Sequence, residues 1–294
     1  MTLRDLVKEW CDHKSRDVAP RTLDGYRDTL ERYVLPVLGH RKVESLQLRE
    51  IDRLYGLMLS GELPKPNGEP GVTGRALSPR TVRLTHAALS QALSQAVRWG
   101  VLQHNPASEA TIPSQKPSEK VVLTADERER FLAASRESFY GVLYHLLLDT
   151  GLRPGEACGL KWGDLDLANG TISVQRAVTR DDDGRAILGE PKTAKSRRTV
   201  PMLGGLRERL LEHLDWQRER NLDATGFVFT NQEGRMLRPW TFSKRDLKRT
   251  LKRARITKPV TLYNFRHTFG TLHVRAGTPL KVVSELMGHA TIQQ

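Results

Sequence analysis

The chain has 294 residues, too many for one ordinary domain and enough for two of roughly 150 residues each. Its 47 Lys and Arg against 34 Asp and Glu give a net charge of +13 and a pI near 10.0, which points to a polyanionic partner, with nucleic acid leading that class. An apolar span of about 18 residues, a signal peptide and a lipidation motif are all missing from the sequence, which argues against a membrane surface. Cys11 and Cys158 are the only cysteines, too few for a disulfide framework or a zinc knuckle, and this fits a reducing compartment such as the cytosol, in contact with the chromosome. Before Pro117 there are 17 basic and 13 acidic residues and after it 30 and 21, so both halves are positive and both are expected to touch the same polyanion.

In chain order, residues 2–15 and 20–38 read as helices, the second carrying a buried stripe of Leu23, Tyr26, Leu30 and Tyr33. Residues 47–59 form a third helical pattern, and the Gly- and Pro-rich stretch 60–78 is a loop. Ser78 followed by Pro79 opens a helix to about Trp99, with Ala88, Leu89, Leu93, Ala96 and Val97 inward and Arg80, Arg83 and His86 on the polar side of its first turns. A solvated face would look the same. The segment 105–122 is rich in Pro, Ser and Lys without an apolar period, and the interdomain linker is placed there, joining domains 1–110 and 123–294 through 111–122.

Thr124 and Glu127 make a capping box before the next helix. An apolar helix spans 140–150, Gly151, Arg153 and Pro154 break the chain, and a short helix continues through 156–160. Strand patterns cover 171–179 and 199–202 with an acidic turn at 181–184 between them. Helices resume at 206–220, 241–255, 264–276 and 279–287. The fold class is mainly α with a small antiparallel β-sheet in the second half.

The sequence holds no GxxxxGK[ST] loop, HExxH or paired CxxC, so ATP- and zinc-dependent chemistry lose weight and no cofactor is expected. Asp181–Asp183 reads as a polar turn, because three consecutive carboxylates point in different directions; no metal site is expected.

Four segments of the second half carry chemistry: TGLRPGE at 150–156, PKTAKSRR at 191–198, LYNFRHT at 262–268 and LMGHA at 286–290. Taken singly, Arg153 is a surface charge, His289 a helix-end residue and His267 a packed helix histidine. Their order and wording together resemble the catalytic domain of the tyrosine recombinases, or phage integrase family, and the first half resembles that family's helical, SAM-like core-binding domain. The resemblance implies cutting and rejoining of DNA through a covalent 3′-phosphotyrosine, without metal or ATP.

Guanidinium forks suit such a reaction because negative charge grows on the non-bridging phosphate oxygens and arginine stays protonated at any working pH. The resemblance assigns these forks to Arg153 and Arg266, a further phosphate hydrogen bond to His289, and the general acid for the departing 5′ oxygen to Lys192. Lys195 is the rival for that last role; the Lys-Thr pair favours Lys192. Tyr263 stands where the family most often has histidine, and its phenol can donate to phosphate or hold Arg266 but is a poor general base near neutral pH.

Residues 241–255 present Lys244, Arg245, Lys248, Arg249 and Lys252 opposite Leu247, Leu251 and Ala254, which suits phosphate contact, while Arg80 and Arg83 are placed to read bases in a major groove. By resemblance, the two domains close around duplex DNA as a C-shaped clamp, four protomers assemble on two sites, and the small arm-binding domain of many integrases is absent. The attacking tyrosine is expected beyond His289, where none of Tyr26, Tyr33, Tyr55, Tyr140, Tyr144 and Tyr263 lies. The chain is therefore expected to stop short of its nucleophile and to bind DNA without cutting it. The competing readings are a DNA-binding protein that keeps the fold without the chemistry, and a type IB topoisomerase-like enzyme.

Overall fold

The computed structural model describes residues 1–65, 69, 71–115, 119–181, 184–189 and 197–288, without the side chains of Ser243 and Lys244. The chain divides into two units, Met1–Ser118 and Glu119–Gln294.

The first unit is helical. Helix α1 (Leu3–Lys14) starts at a capping box in which Thr2 Oγ1 accepts from the Asp5 N–H and the Asp5 carboxylate accepts from the Thr2 N–H; Leu3, Leu6, Val7, Trp10 and Cys11 form its buried face. The single helix expected over 20–38 is three pieces: α2 (Pro20–Thr29), a π-helical turn (Leu30–Val34) and α3 (Leu35–Leu38). Pro36 explains the break, since its ring crowds the carbonyl four residues back and it has no N–H to give, so the preceding turn widens and the Leu35 N–H donates to Leu30.

Helix α4 (Leu48–Ser60) ends at Gly61, whose φ of +83° and close approach to Ala76 suit no other residue type. The loop after it returns to α5 (Pro79–Arg98), capped by Ser78 and packed through Val82, Ala88, Leu89, Ala92, Leu93 and Ala96. Residues 105–110 pack with this unit. Asn105 Nδ2 donates to the Ser90 carbonyl and to the Ser90 and Ser94 hydroxyls, and Ala107 and Ala110 are buried. A satisfied asparagine and two small buried residues hold a segment that has no apolar period.

In the second unit, α6 (Ala125–Ser135) opens on the expected Thr124–Glu127 capping box and packs with α7 (Gly141–Thr150). Helix α8 (Pro154–Cys158) follows directly, and β1 (Leu165–Asp166), β2 (Thr171–Val174) and β5 (Arg198–Pro201) form a three-stranded antiparallel sheet with Ile172 opposite Val200. The strand expected over 171–179 is two strands in two sheets: β3 (Ala177–Arg180) leaves β2 and pairs instead with β4 (Ala186–Gly189), which the sequence reading missed. Arg176, ion-paired with Asp164, sits in the break, and α8 lies so close to β3 that a Cβ on Gly155 would be 2.7 Å from the Val178 carbonyl.

Helix α9 (Leu206–Glu219) precedes a second interrupted helix. The expected helix 241–255 is α10 (Pro239–Phe242), a π-helical turn (Ser243–Leu247) and α11 (Lys248–Arg253). The wider turn lets Asp246 accept from the Tyr144 and Ser138 hydroxyls while Leu247 remains buried, as do Leu251 and Ala254. Helices α12 (Leu262–Arg275) and α13 (Leu280–Met287) complete the described chain, and α12 crosses α7 in the core beside Phe131, Tyr144 and Phe265.

Candidate active site

Helix α7 ends on Gly151 in the left-handed region (φ +63°), where a Cβ would lie 2.5 Å from the Phe269 ring. The reversal brings Arg153 to the N-cap of α8 with Pro154 at the first helical position, where its missing N–H costs nothing. Arg153 Nη1 donates to Glu156 Oε1 at 2.7 Å, its backbone N–H donates to Oε2 at 2.9 Å, and Nη2 reaches the Gly288 carbonyl at 3.3 Å.

Arg266 projects from the second turn of α12 and is 2% exposed. It donates to the Gly151 carbonyl at 2.8 Å and to the Met287 carbonyl at 2.5 Å. Arg198, at the start of β5, forks onto both oxygens of Glu156 and donates through Nε to the Leu286 carbonyl at 2.7 Å. Two of these guanidiniums, Arg153 and Arg198, thus share one buried carboxylate, and all three meet successive carbonyls at the end of α13. Those carbonyls lack intrahelical partners and form the negative end of the helix dipole, so they suit cations.

Positive charge remains in excess. Burial would raise the Glu156 carboxyl, but hydrogen bonds and charge from Arg198, followed by the bonds from Arg153, outweigh it and hold the group below its ordinary value. Burial, then repulsion by Arg153, lowers Arg266 to about 10, at which it is still a cation near neutral pH. A fixed cluster with this excess of positive charge suits an anion.

Of the residues predicted from sequence, Arg153 and Arg266 come together here. Tyr263 lies one turn before Arg266 on α12, half exposed, its ring edge-on to His267 with centroids 5.4 Å apart. Burial, then Lys120 and Arg266, lower the pKa of His267. Lys192, its rival Lys195 and His289 lie outside the described residues. Glu156 and Arg198 stood inside the quoted segments without a role. Their signal was a carboxylate three residues after Arg153 and an arginine inside an alternating strand, neither of which shows burial by itself.

On α5, Arg80 and Arg83 are exposed, whereas His86 is turned inward, with Nδ1 2.9 Å from the Tyr55 hydroxyl and its pKa lowered by burial and then Arg83. Arg245 in the π-helical turn and Lys248, Arg249 and Lys252 along α11 are exposed and, with Arg255, line a groove of about 1180 Å³; the Lys244 side chain is not described. All six tyrosines are described. Tyr55 and Tyr144 are buried with their phenols pushed far up by desolvation, Tyr144 donating to Asp246; Tyr140 is half-buried, and Tyr26 and Tyr33 pack in the first unit. Among the described residues no group of three or more His, Cys, Asp or Glu could hold a metal ion, and no helix is long and apolar enough to cross a membrane.

Residues 121–294 match the phage integrase family and residues 2–56 match the phage integrase N-terminal SAM-like domain. A tyrosine recombinase XerC-like protein of Caldanaerobacter subterraneus subsp. tengcongensis is 29% identical over 318 residues, which span 99% of this chain and 77% of that protein. The tyrosine recombinase XerD of Listeria innocua serovar 6a is 32% identical over 221 residues, spanning 73% of this chain and 69% of the relative. The Tn1549 transposon integrase in complex with a circular intermediate DNA shares the fold at a TM-score of 0.84 and 23% identity, covering 100% of this chain and 93% of that one. By the extent of these matches, and with the two arginine motifs meeting in one site, the chain belongs to the phage integrase family of tyrosine recombinases.

Proposed function

We propose that the chain binds DNA and activates a scissile phosphate as a site-specific recombinase of a mobile element. The observation that carries this reading is the convergence of Arg153 and Arg266 with excess positive charge at a buried, preorganised site. In the reaction, Arg153 and Arg266 bind the two non-bridging oxygens of the scissile phosphate, Tyr263 donates a hydrogen bond at the rim, His289 adds another donor, and Lys192 protonates the departing 5′ oxygen. Arg80 and Arg83 read bases, and α11 with Lys244, Arg245, Lys248, Arg249 and Lys252 contacts phosphates. The DNA-bound state of the Tn1549 integrase and the lambda integrase tetramer bound to a Holliday junction support duplex DNA as partner and a tetramer on two sites as the working assembly.

The covalent step is assigned to none of the six tyrosines. Tyr55 and Tyr144 are buried, Tyr140 is half-buried against Phe242, Tyr26 and Tyr33 belong to the first unit's packing, and Tyr263 is given the donor role at the rim. A suicide duplex nicked beside the scissile phosphate is expected to yield no covalent adduct with these 294 residues on a denaturing gel; an adduct would overturn that assignment, and the linked residue would name the nucleophile. Duplex binding is expected to weaken with salt at about −0.9 per phosphate contact in a log–log plot, near −5 for ~6 contacts, and a flat response in fluorescence anisotropy would sink the reading.

A further inference from the structure

Arg198 begins β5 and is the most enclosed of the three guanidiniums after Arg266, with its side chain 7% exposed. Its bonds tie Glu156 on α8 to the end of α13. Nη1 and Nη2 lie 3.3 and 3.0 Å from the two oxygens of Glu156, and Nε lies 2.7 Å from the Leu286 carbonyl. Glu156 Oε1 also takes Arg153 Nη1. A buried carboxylate paired with Arg153 alone would cancel the charge that Arg153 presents to an anion, whereas a carboxylate divided between two arginines leaves that charge in excess.

The second bond acts on α13. Arg198, Arg266 and Arg153 take the Leu286, Met287 and Gly288 carbonyls in turn. Gly288 has φ +63°, and a Cβ there would sit 3.0 Å from Arg198 Nη1, so the guanidinium packs flush against the turn that ends the helix.

We propose that Arg198 is a positioning residue: by sharing Glu156 and fastening the end of α13, it holds Arg153 toward a DNA phosphate. This rests on the reading of Arg153 as a phosphate-binding group. Lysine at this position keeps the charge but has no planar fork, so it cannot span both Glu156 oxygens and the Leu286 carbonyl together.

The test uses the 294-residue chain and a duplex recovered by selection from a random-sequence pool, remade with a neutral methylphosphonate at one phosphate at a time. Affinity is read by fluorescence anisotropy. Neutralising the phosphate that Arg153 contacts is expected to cost the unsubstituted chain about tenfold, the worth of one charge-assisted hydrogen bond, and to leave Arg153→Ala indifferent. Arg198→Lys is expected to share that indifference at this phosphate and to respond like the unsubstituted chain at every other sensitive phosphate, a pattern that general loosening of the fold does not produce. A retained tenfold response in Arg198→Lys overturns the proposal. If Arg153→Ala and the unsubstituted chain respond alike at all phosphates, the phosphate-site reading itself has failed. Should Arg198→Lys not fold by thermal unfolding, Arg198→Gln takes its place in the same comparison, with the same indifference expected, and a retained tenfold response in it overturns the proposal.

Discussion

Arg153, Arg198 and Arg266 at the end of α13, and Arg245, Lys248, Arg249 and Lys252 along α11 and the π-helical turn before it, are the same kind of charge in two surroundings. The first set is enclosed, its N–H groups fixed on Glu156 and on backbone carbonyls. The second stands in solvent along a groove. Enclosed cations lose hydration and must be compensated by the protein itself, so they are costly to place and meet one anion in one geometry. Exposed cations cost little, lie within reach of screening ions, and supply affinity that spreads over many phosphates. On the proposed function, this division separates gripping DNA from acting on a single bond.

The largest test of this contrast is Glu156→Ala. Removing the carboxylate leaves buried guanidiniums uncompensated, and the expected loss is about 3–5 kcal/mol of unfolding free energy, measured by urea denaturation. A loss comparable to that of an ordinary surface substitution would mean the cluster is compensated by something other than Glu156.

A second test compares two buried bases. Arg266 keeps its proton with a value lowered to about 10, whereas burial, followed by Arg209 and Arg128, lowers His145 from 6.5 to about 4. The unfolded chain takes up the His145 proton as pH falls through 6.5 and the folded chain does not, so the stability it contributes is full above 6.5 and is lost on the way down to about 4. That window is worth about 3 kcal/mol, and His145→Leu should remove most of the corresponding slope in unfolding free energy. Glu156 acts lower: its contribution is present above the ordinary carboxylate value and disappears as pH falls through its depressed one.

Gly151→Ala comes next. At φ +63°, with Phe269 in the way of a Cβ, about 2 kcal/mol of destabilisation is expected, together with displacement of the carbonyl that Arg266 holds. The smallest effects belong to α11. Lys248→Ala and Lys252→Ala should leave stability within ~0.5 kcal/mol. Each should reduce the salt slope of duplex binding by about 0.9. A change in stability with no change in slope would place these lysines in the fold and not on the DNA.

Much of this was legible in the sequence wherever one local rule decides the outcome. The Thr124 capping box, the Ser78–Pro79 opening and the buried face of α1 follow from spacing alone, and Arg153 and Arg266 both reach the end of α13. The misses have a common origin in contacts from afar. Residues 171–179 alternate like one strand, yet Arg176 is drawn to Asp164 and Ala177 and Val178 pack under Gly159 and Gly155, so the strand changes sheets. The π-helical turns respond to Pro36 and to the partners of Asp246, and His86 reads as a polar-face residue until Tyr55 is seen beside it. Arg198 looked like one more cation in a basic hairpin, because nothing in its neighbours reveals that it is enclosed.

The three carbonyls that end α13 carry a consequence for insertions and deletions. One added or lost residue in that helix moves every later carbonyl by about 1.5 Å and turns it by about 100°. Arg198, Arg266 and Arg153 each come from a different element and hold Leu286, Met287 and Gly288 individually, so no slide of the helix can restore all three bonds at once. The described residues of the loop between α4 and α5 belong to the first unit and take no part in these three bonds, so a change in its length leaves them intact. Across relatives, length variation should collect in that loop and stop at α13, where even a substitution-tolerant surface cannot absorb a shift in count.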